Sequence, residues 1–156
     1  MVLQRDTNNL IWGWADKGEK VTVYFDEVGV PHINAENQMD AYRALGYVHA
    51  QDRLWQMTML RRTAQGRLSE LFGNATVDVD SFIRRLDLYA LAVASVDVQS
   101  EQTLTFLEAY AAGVNAQIAQ VNTQALGRGA PEMWLFNHAI SPWRPADSLA
   151  VSKPMG

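Results

Sequence analysis

Residues 46–60 read GYVHAQDRLWQMTML, and how this stretch is taken decides the fold. Tyr47, Ala50, Leu54, Met57 and Leu60/Arg61 recur at three- and four-residue spacing, with Val48 and Trp55 widening the stripe. That period is helical. Upstream, Asn37 stands as an N-cap with Asp40 three residues later, and Met39, Tyr42 and Leu45/Gly46 line one face. Gly46 permits close packing or a bend between two helical pieces. Gly66 is a natural stop just past the last turn. Inside the stretch His49, Gln51, Asp52 and Arg53 crowd into five residues. Asp52 and Arg53 are adjacent, so on a helix they point about 100° apart and need separate partners. One reading makes Gln51, Asp52 and Arg53 a polar network that fixes helix packing, since buried charges persist only when paired. The other makes them part of a catalytic site.

Before this helix lies the strongest β signal, VTVYFDEVGVPHINA. Val21, Val23 and Phe25 alternate with Thr22 and Tyr24, DEVG offers a turn, and VPHIN resumes extended character. Pro31 places the second run at a sheet edge or a strand start, so the segment reads as a hairpin. Residues 1–18 mix polar residues with Leu10, Ile11, Trp12 and Trp14 and read as an N-terminal arm, leaving 19–156 as one helical domain. Further on, RLSELFG makes one or two turns closed by Gly73. Asp78–Leu91 reads as a helix with Phe82, Ile83 and Leu86 facing in. Residues 100–122 form the clearest helix, begun by Ser100 and striped by Leu104, Leu107, Ala111, Val114 and Ile118. Arg128–Pro131 is loop, PEMWLFNH a short apolar turn or helix, and Asp147 caps a last helix. The sum is mainly α with one short β-hairpin.

Composition narrows the function. The chain has 156 residues, 48% of them hydrophobic, which suits one domain or a subunit-sized piece. A net charge of −4 argues against nucleic acid as a partner. Arg61, Arg62 and Arg67, then Arg84 and Arg85, form two local groups that suit a solvated helix face or salt bridges better than a polyanion site. Cysteine is absent, which excludes thiolate catalysis and disulfides. No apolar run approaches about 18 residues, so no membrane span is expected, and the N-terminal residues lack the pattern of a signal peptide. His32, His49 and His138 have no metal-ligand spacing. Asp26 and Glu27 sit in a turn, where acids serve local backbone N–H groups. Ser69 lies outside any G-x-S-x-G elbow. No complete set of nucleophile, base and oxyanion donors emerges.

VTVYFDEVGVPHINA, followed by ALGYVHAQDRLWQMTMLRRTAQGRLSELFG, resembles the start of the penicillin acylase family of N-terminal-nucleophile hydrolases. The likeness continues through LEAYAAGVNAQI, similar to the family's A-x-G-x-N-A helix, and PWRPADSLAVSKPM, similar to its W-x-P-x-D segment. Members include penicillin G, cephalosporin and acyl-homoserine-lactone acylases. The resemblance implies the α-chain part of an αββα sandwich completed by a β chain cut from the same precursor. It implies hydrolysis of the amide of a small N-acyl substrate by a serine at the β-chain N-terminus, in the periplasm or outside the cell. Every catalytic residue would then lie off this chain. Met155 and Gly156 alone would approach the acyl pocket, and the sequence reads as an α-chain fragment rather than a complete subunit. No cofactor is expected in this chain; calcium, bound in some members, would draw on an acid further along. Faces meant for the β chain would be left bare. The competing reading is a stand-alone helical interaction module.

Overall fold

A computed structural model describes residues 21–123 and 139–152. The chain opens with strands β1 (Thr22–Phe25) and β2 (Pro31–Asn34), paired antiparallel with Val23 opposite Ile33 and Tyr24 opposite His32. The turn between them is built by Asp26, whose Oδ1 accepts the Val28 and Val30 N–H groups at 3.1 and 2.8 Å. Gly29 takes φ +85°, a left-handed angle that glycine adopts without steric cost. Pro31 is the first residue of β2, where its missing N–H costs no ladder bond.

Helix α1 (Gln38–Ala64) starts as expected: the Asn37 side chain accepts the Asp40 N–H at 2.9 Å and donates to the Asp40 carboxylate at 2.9 Å. It ends before Gly66, at φ +62°. The bend falls at Arg53 (φ −132°, ψ 20°) and not at Gly46. α2 (Ser69–Phe72) and a 3-10 turn (Gly73–Thr76) follow. The single helix expected over 78–91 is two, α3 (Val77–Leu86) and α4 (Leu88–Val96), broken by Asp87 in the left-handed region at φ 50°. Aspartate is among the few residues that tolerate that conformation, because its short side chain bonds locally. Phe82 and Leu86, expected to face in, are exposed. Helix α5 (Glu101–Thr123) begins where Ser100 Oγ accepts the Thr103 N–H, and α6 (Pro145–Ser152) closes the described chain.

α1 and α5 make the principal packing. Gly46 and Gly113 let their backbones touch: a Cβ on Gly46 would run into the Tyr110 carbonyl, and one on Gly113 into that of Arg43. Around this crossing Ala50, Leu54, Val114, Ile118, Ile140 and Trp143 form the main core. The hairpin packs on the first half of α1 through Val23, Ala44 and Val48. Ala64, Ala92 and Ala150 join the end of α1 to α4 and α6. The observed architecture is mainly helical with one two-stranded hairpin, as the sequence implies. The N-terminal arm, the 128–138 segment, Met155 and Gly156 lie outside the described residues.

Candidate functional site

The polar residues of the opening stretch divide. Gln51 is half-buried, and Asp52 and Arg53 are exposed at the bend of α1. Among the described residues, none of the three hydrogen-bonds a neighbouring element. The physical reason is the phase of the helix: Ala50 and Leu54 occupy the buried stripe, Asp52 falls opposite it, and Arg53 sits on its flank at the bend. Partial desolvation raises the Asp52 carboxyl above its ordinary pKa, against the pull of Arg53 and His49. His49 packs edge-on against Tyr110 (centroids 5.8 Å apart) with Nδ1 3.1 Å from the phenol oxygen. Desolvation lowers its pKa, and Asp52 opposes that.

The buried network lies about two to three turns further along. Arg61 points from α1 to the first turn of α6, with Nη1 3.6 Å from Asp147 Oδ2. The same nitrogen donates to the Ser141 and Pro142 carbonyls at 3.1 and 3.2 Å, and the guanidinium lies over the Trp143 ring at 5.2 Å. Burial lowers the Arg61 pKa from its ordinary value, with Asp147 opposing. Asp147 also accepts the Arg144 N–H at 2.8 Å, which caps α6, and the Tyr89 hydroxyl at 2.7 Å. Pro145 opens this helix, where a missing N–H is harmless. The sequence marked Asp147 as a cap, but assigned Arg61 to a group of surface or salt-bridging arginines; only the three- and four-residue stripe placing position 61 inward pointed to its burial.

Beside the network lies a cleft of about 730 Å³, lined by Thr58, Arg61, Gln65, Arg67, Glu70 and Arg144 among others. Thr58 is buried, and among the described residues its hydroxyl has no hydrogen-bond partner. At the mouth, Glu70 bridges Arg62 (2.7 Å) and Arg67 (2.6 Å), which together hold its carboxyl below the usual range, the Arg67 hydrogen bond contributing most. Across from it, Asp80 accepts the Leu68 and Ser69 N–H groups at 2.9 and 2.7 Å, and Arg84 donates to the Gly66 carbonyl. Arg61, Arg62, Arg67 and Arg84 thus serve structure, while Arg85 is exposed.

None of this assembles a hydrolytic centre. The described histidines, His32 and His49, contact Asp26 (3.1 Å) and Tyr110, not a serine or threonine. Among the described residues no group of three or more histidine or acidic side chains gathers to hold a metal. No described helix is long and apolar enough to cross a membrane.

Comparison with known proteins supplies what the geometry lacks. The family model for penicillin amidase matches residues 20–156. The chain is 40% identical over 139 residues to the penicillin acylase 2 proenzyme of Pseudomonas sp. (strain SE83), covering 87% of this chain and 17% of that protein. It is 32% identical over 157 residues to the penicillin G acylase of Escherichia coli, covering 97% and 19%. It is 35% identical over 133 residues to the acyl-homoserine lactone acylase QuiP of Pseudomonas fluorescens (strain Pf0-1), covering 85% and 16%. The chain spans less than a fifth of the length of these relatives. A thermostable penicillin G acylase from Alcaligenes faecalis superposes with a TM-score of 0.74 at 29% identity, over 85% of this chain and 70% of that one. A match running the length of the described fold, at these identities, makes the chain a member of the penicillin amidase family.

Proposed function

We propose that this chain is the α-chain portion of a two-chain amide hydrolase that removes the acyl group from a small N-acyl substrate such as a penicillin or an acyl-homoserine lactone. The observation that carries the reading is a family match over nearly the whole chain that amounts to less than a fifth of each relative. Its polar groups fit a scaffold role: Arg61, Arg62, Asp80 and Asp147 are engaged in holding helices together. The nucleophile is then a serine at the N-terminus of a second chain. Its own α-amino group, with a pKa of about 8, accepts the hydroxyl proton, so no histidine is needed. One relative is named a proenzyme, which supports cleavage of a common precursor.

In the assembled enzyme Asp52 and Arg53, exposed at the bend of α1, are anchors for the second chain, and Met155 and Gly156 approach the acyl pocket. The compartment is periplasmic or secreted, by likeness to the family. Calcium, where it is used, is held by residues other than those described here.

The test is an amidase assay with an acyl-anilide reporter, then penicillin G and acyl-homoserine lactones of graded acyl length. The 156-residue chain alone is expected to be inactive, and co-expression with the polypeptide encoded after it is expected to give turnover. Turnover by the chain alone, or an assembled complex inert towards every N-acyl amide, overturns the reading. A reading frame that stops at Gly156 favours the interaction module instead.

A further inference from the structure

Helix α3 is built inside out. Its apolar residues Val79, Phe82, Ile83 and Leu86 fall within about 100° of arc at 100° per residue, the pattern of a helix whose apolar stripe faces a core. Yet the only buried residue of α3 is a carboxylate, Asp80, while Phe82 is 59% exposed and Val79 and Leu86 are nearly half exposed. The helix is held to its own chain by its polar side. Asp80 accepts the Leu68 and Ser69 N–H groups, and Arg84 donates to the Gly66 carbonyl. Burial disfavours the Asp80 charge, but hydrogen bonds from Ser69 and the Leu68 N–H outweigh it and keep the carboxyl below its ordinary pKa.

α4 gives a second, independent sign. LYALAVASV carries no charge, and a helix apolar all round belongs in an interior. Here it buries only Ala92, leaving Leu91 and Val93 exposed. Isolated exposed apolar side chains are ordinary, but an ordered stripe on a helix that docks through the opposite face is not. Exposed Asp78 and Arg85 flank the α3 stripe, as a polar rim flanks the apolar centre of an interface.

We infer that the outward stripe of α3, Val79–Phe82–Leu86, is a docking surface for the remaining polypeptide of the same acylase, which covers it with an apolar patch. The occupant follows from size: more than four-fifths of each curated relative lies outside the length this chain matches. A stripe left bare by this fifth has that much protein available to cover it. The inference rests on the two-chain reading above and names where the second chain binds.

The experiment co-expresses the tagged 156-residue chain with the polypeptide encoded after it and measures co-purification, with Phe82→Asp, Val79→Asp and the conservative Phe82→Leu as variants. A charge forced into a desolvated apolar contact is expected to lower recovery of the partner about tenfold or more, while Phe82→Leu retains it. In the isolated chain all three variants keep the wild-type melting curve, because these side chains touch solvent there. Undiminished co-purification of both aspartate variants overturns the inference, as does a lower melting temperature of the isolated variants, which would assign the stripe to the chain's own core. A wild-type homodimer in light scattering that Phe82→Asp dissolves, with co-purification unchanged, also overturns it in favour of a second copy. Assembly is read without substrate, so a complex that forms through α3 but cleaves no N-acyl amide defeats the acylase reading and leaves this one standing.

Discussion

The Arg61 guanidinium lies 3.6 Å from the Asp147 carboxylate, with side-chain exposures of only 7% and 1%. The contact joins the last turns of α1 to the first turn of α6 and reaches α4 through the Tyr89 hydroxyl. Two charges this deep are stabilised by further contacts on both sides: Asp147 accepts from the Arg144 N–H and the Tyr89 hydroxyl, and Arg61 donates to two carbonyls and lies over the Trp143 face.

Removing one partner should therefore cost more than removing both. Asp147→Ala leaves a buried cation without its counter-charge and uncaps α6, and is expected to destabilise the fold by about 3–5 kcal/mol. Arg61→Met with Asp147→Leu is expected to cost clearly less than the sum of the two single changes. Urea unfolding of the four proteins of this double-mutant cycle measures the coupling; strictly additive losses would show that the two charges do not interact.

How legible this was in the sequence depends on the residue. The hairpin, the Asn37 cap and the ends of α1 were readable because each is set by local chemistry: alternation, an N-cap with its acid, a glycine at positive φ. The break at Asp87 was not, because one residue in the left-handed region leaves the flanking periodicity intact. α3 was read with the right stripe and the wrong direction: periodicity reports which residues share a face, not what covers it. For Asp52 and Arg53 the sequence shows only that adjacent charges on a helix need separate partners, and among the described residues neither hydrogen-bonds a neighbouring element, because periodicity does not say what lies opposite a polar side chain. The family motif A-x-G-x-N-A, legible only as a resemblance, acquires physical meaning from the fold, since Gly113 permits the α1–α5 contact and Asn115 holds the segment before α6.

That crossing gives a second prediction. At Gly46 and Gly113 an added methyl meets main-chain carbonyls, which cannot swing away as a side-chain tip can. Gly→Ala ordinarily stabilises a helix, by about 1 kcal/mol. Here overpacking, typically 1–3 kcal/mol and more against backbone, wins. Gly113→Ala is expected to lower the melting temperature or prevent soluble expression. An unchanged or raised melting temperature would mean that the helices are further apart than described.

A third prediction concerns pH. The folded state lowers the His49 pKa, so the unfolded chain binds the proton more readily. The stabilising contribution is then fully present above the unfolded value of about 6.5 and is lost as pH falls through the lower folded value. His49→Gln should flatten the decline in melting temperature on the acid side of pH 6.5. The depressed carboxylates Asp26, Glu70 and Asp80 act in the same direction but lower, as pH falls below the ordinary carboxylate range, so they leave the interval between undisturbed. An identical slope for wild type and variant between pH 5 and 6.5 refutes the assignment.

The last prediction tests how α5 places the segment leading into α6. Asn115 accepts the Trp143 N–H at 2.6 Å and donates to the Trp143 carbonyl at 2.9 Å. Asn122, seven residues on and so two turns along the same face, does the same for Ile140 at 2.9 and 3.0 Å. Each side-chain amide stands in for the neighbouring strand that an extended segment would otherwise need, and Trp143 and Ile140 are both buried in the main core. Asn115→Ala leaves an N–H and a carbonyl without partners, at about 1–3 kcal/mol for each group that water cannot reach. Asn115→Asp keeps an acceptor for the N–H but sets a carboxylate against the carbonyl, so it is not a conservative change. Both are expected to destabilise the fold, and, on the proposed reading that Met155 and Gly156 approach the acyl pocket, both should raise KM more than they lower kcat in an assembled acylase. Wild-type unfolding by Asn115→Ala would show that the amide pairing is incidental, and a fall in kcat at unchanged KM would show that α6 does not serve substrate binding.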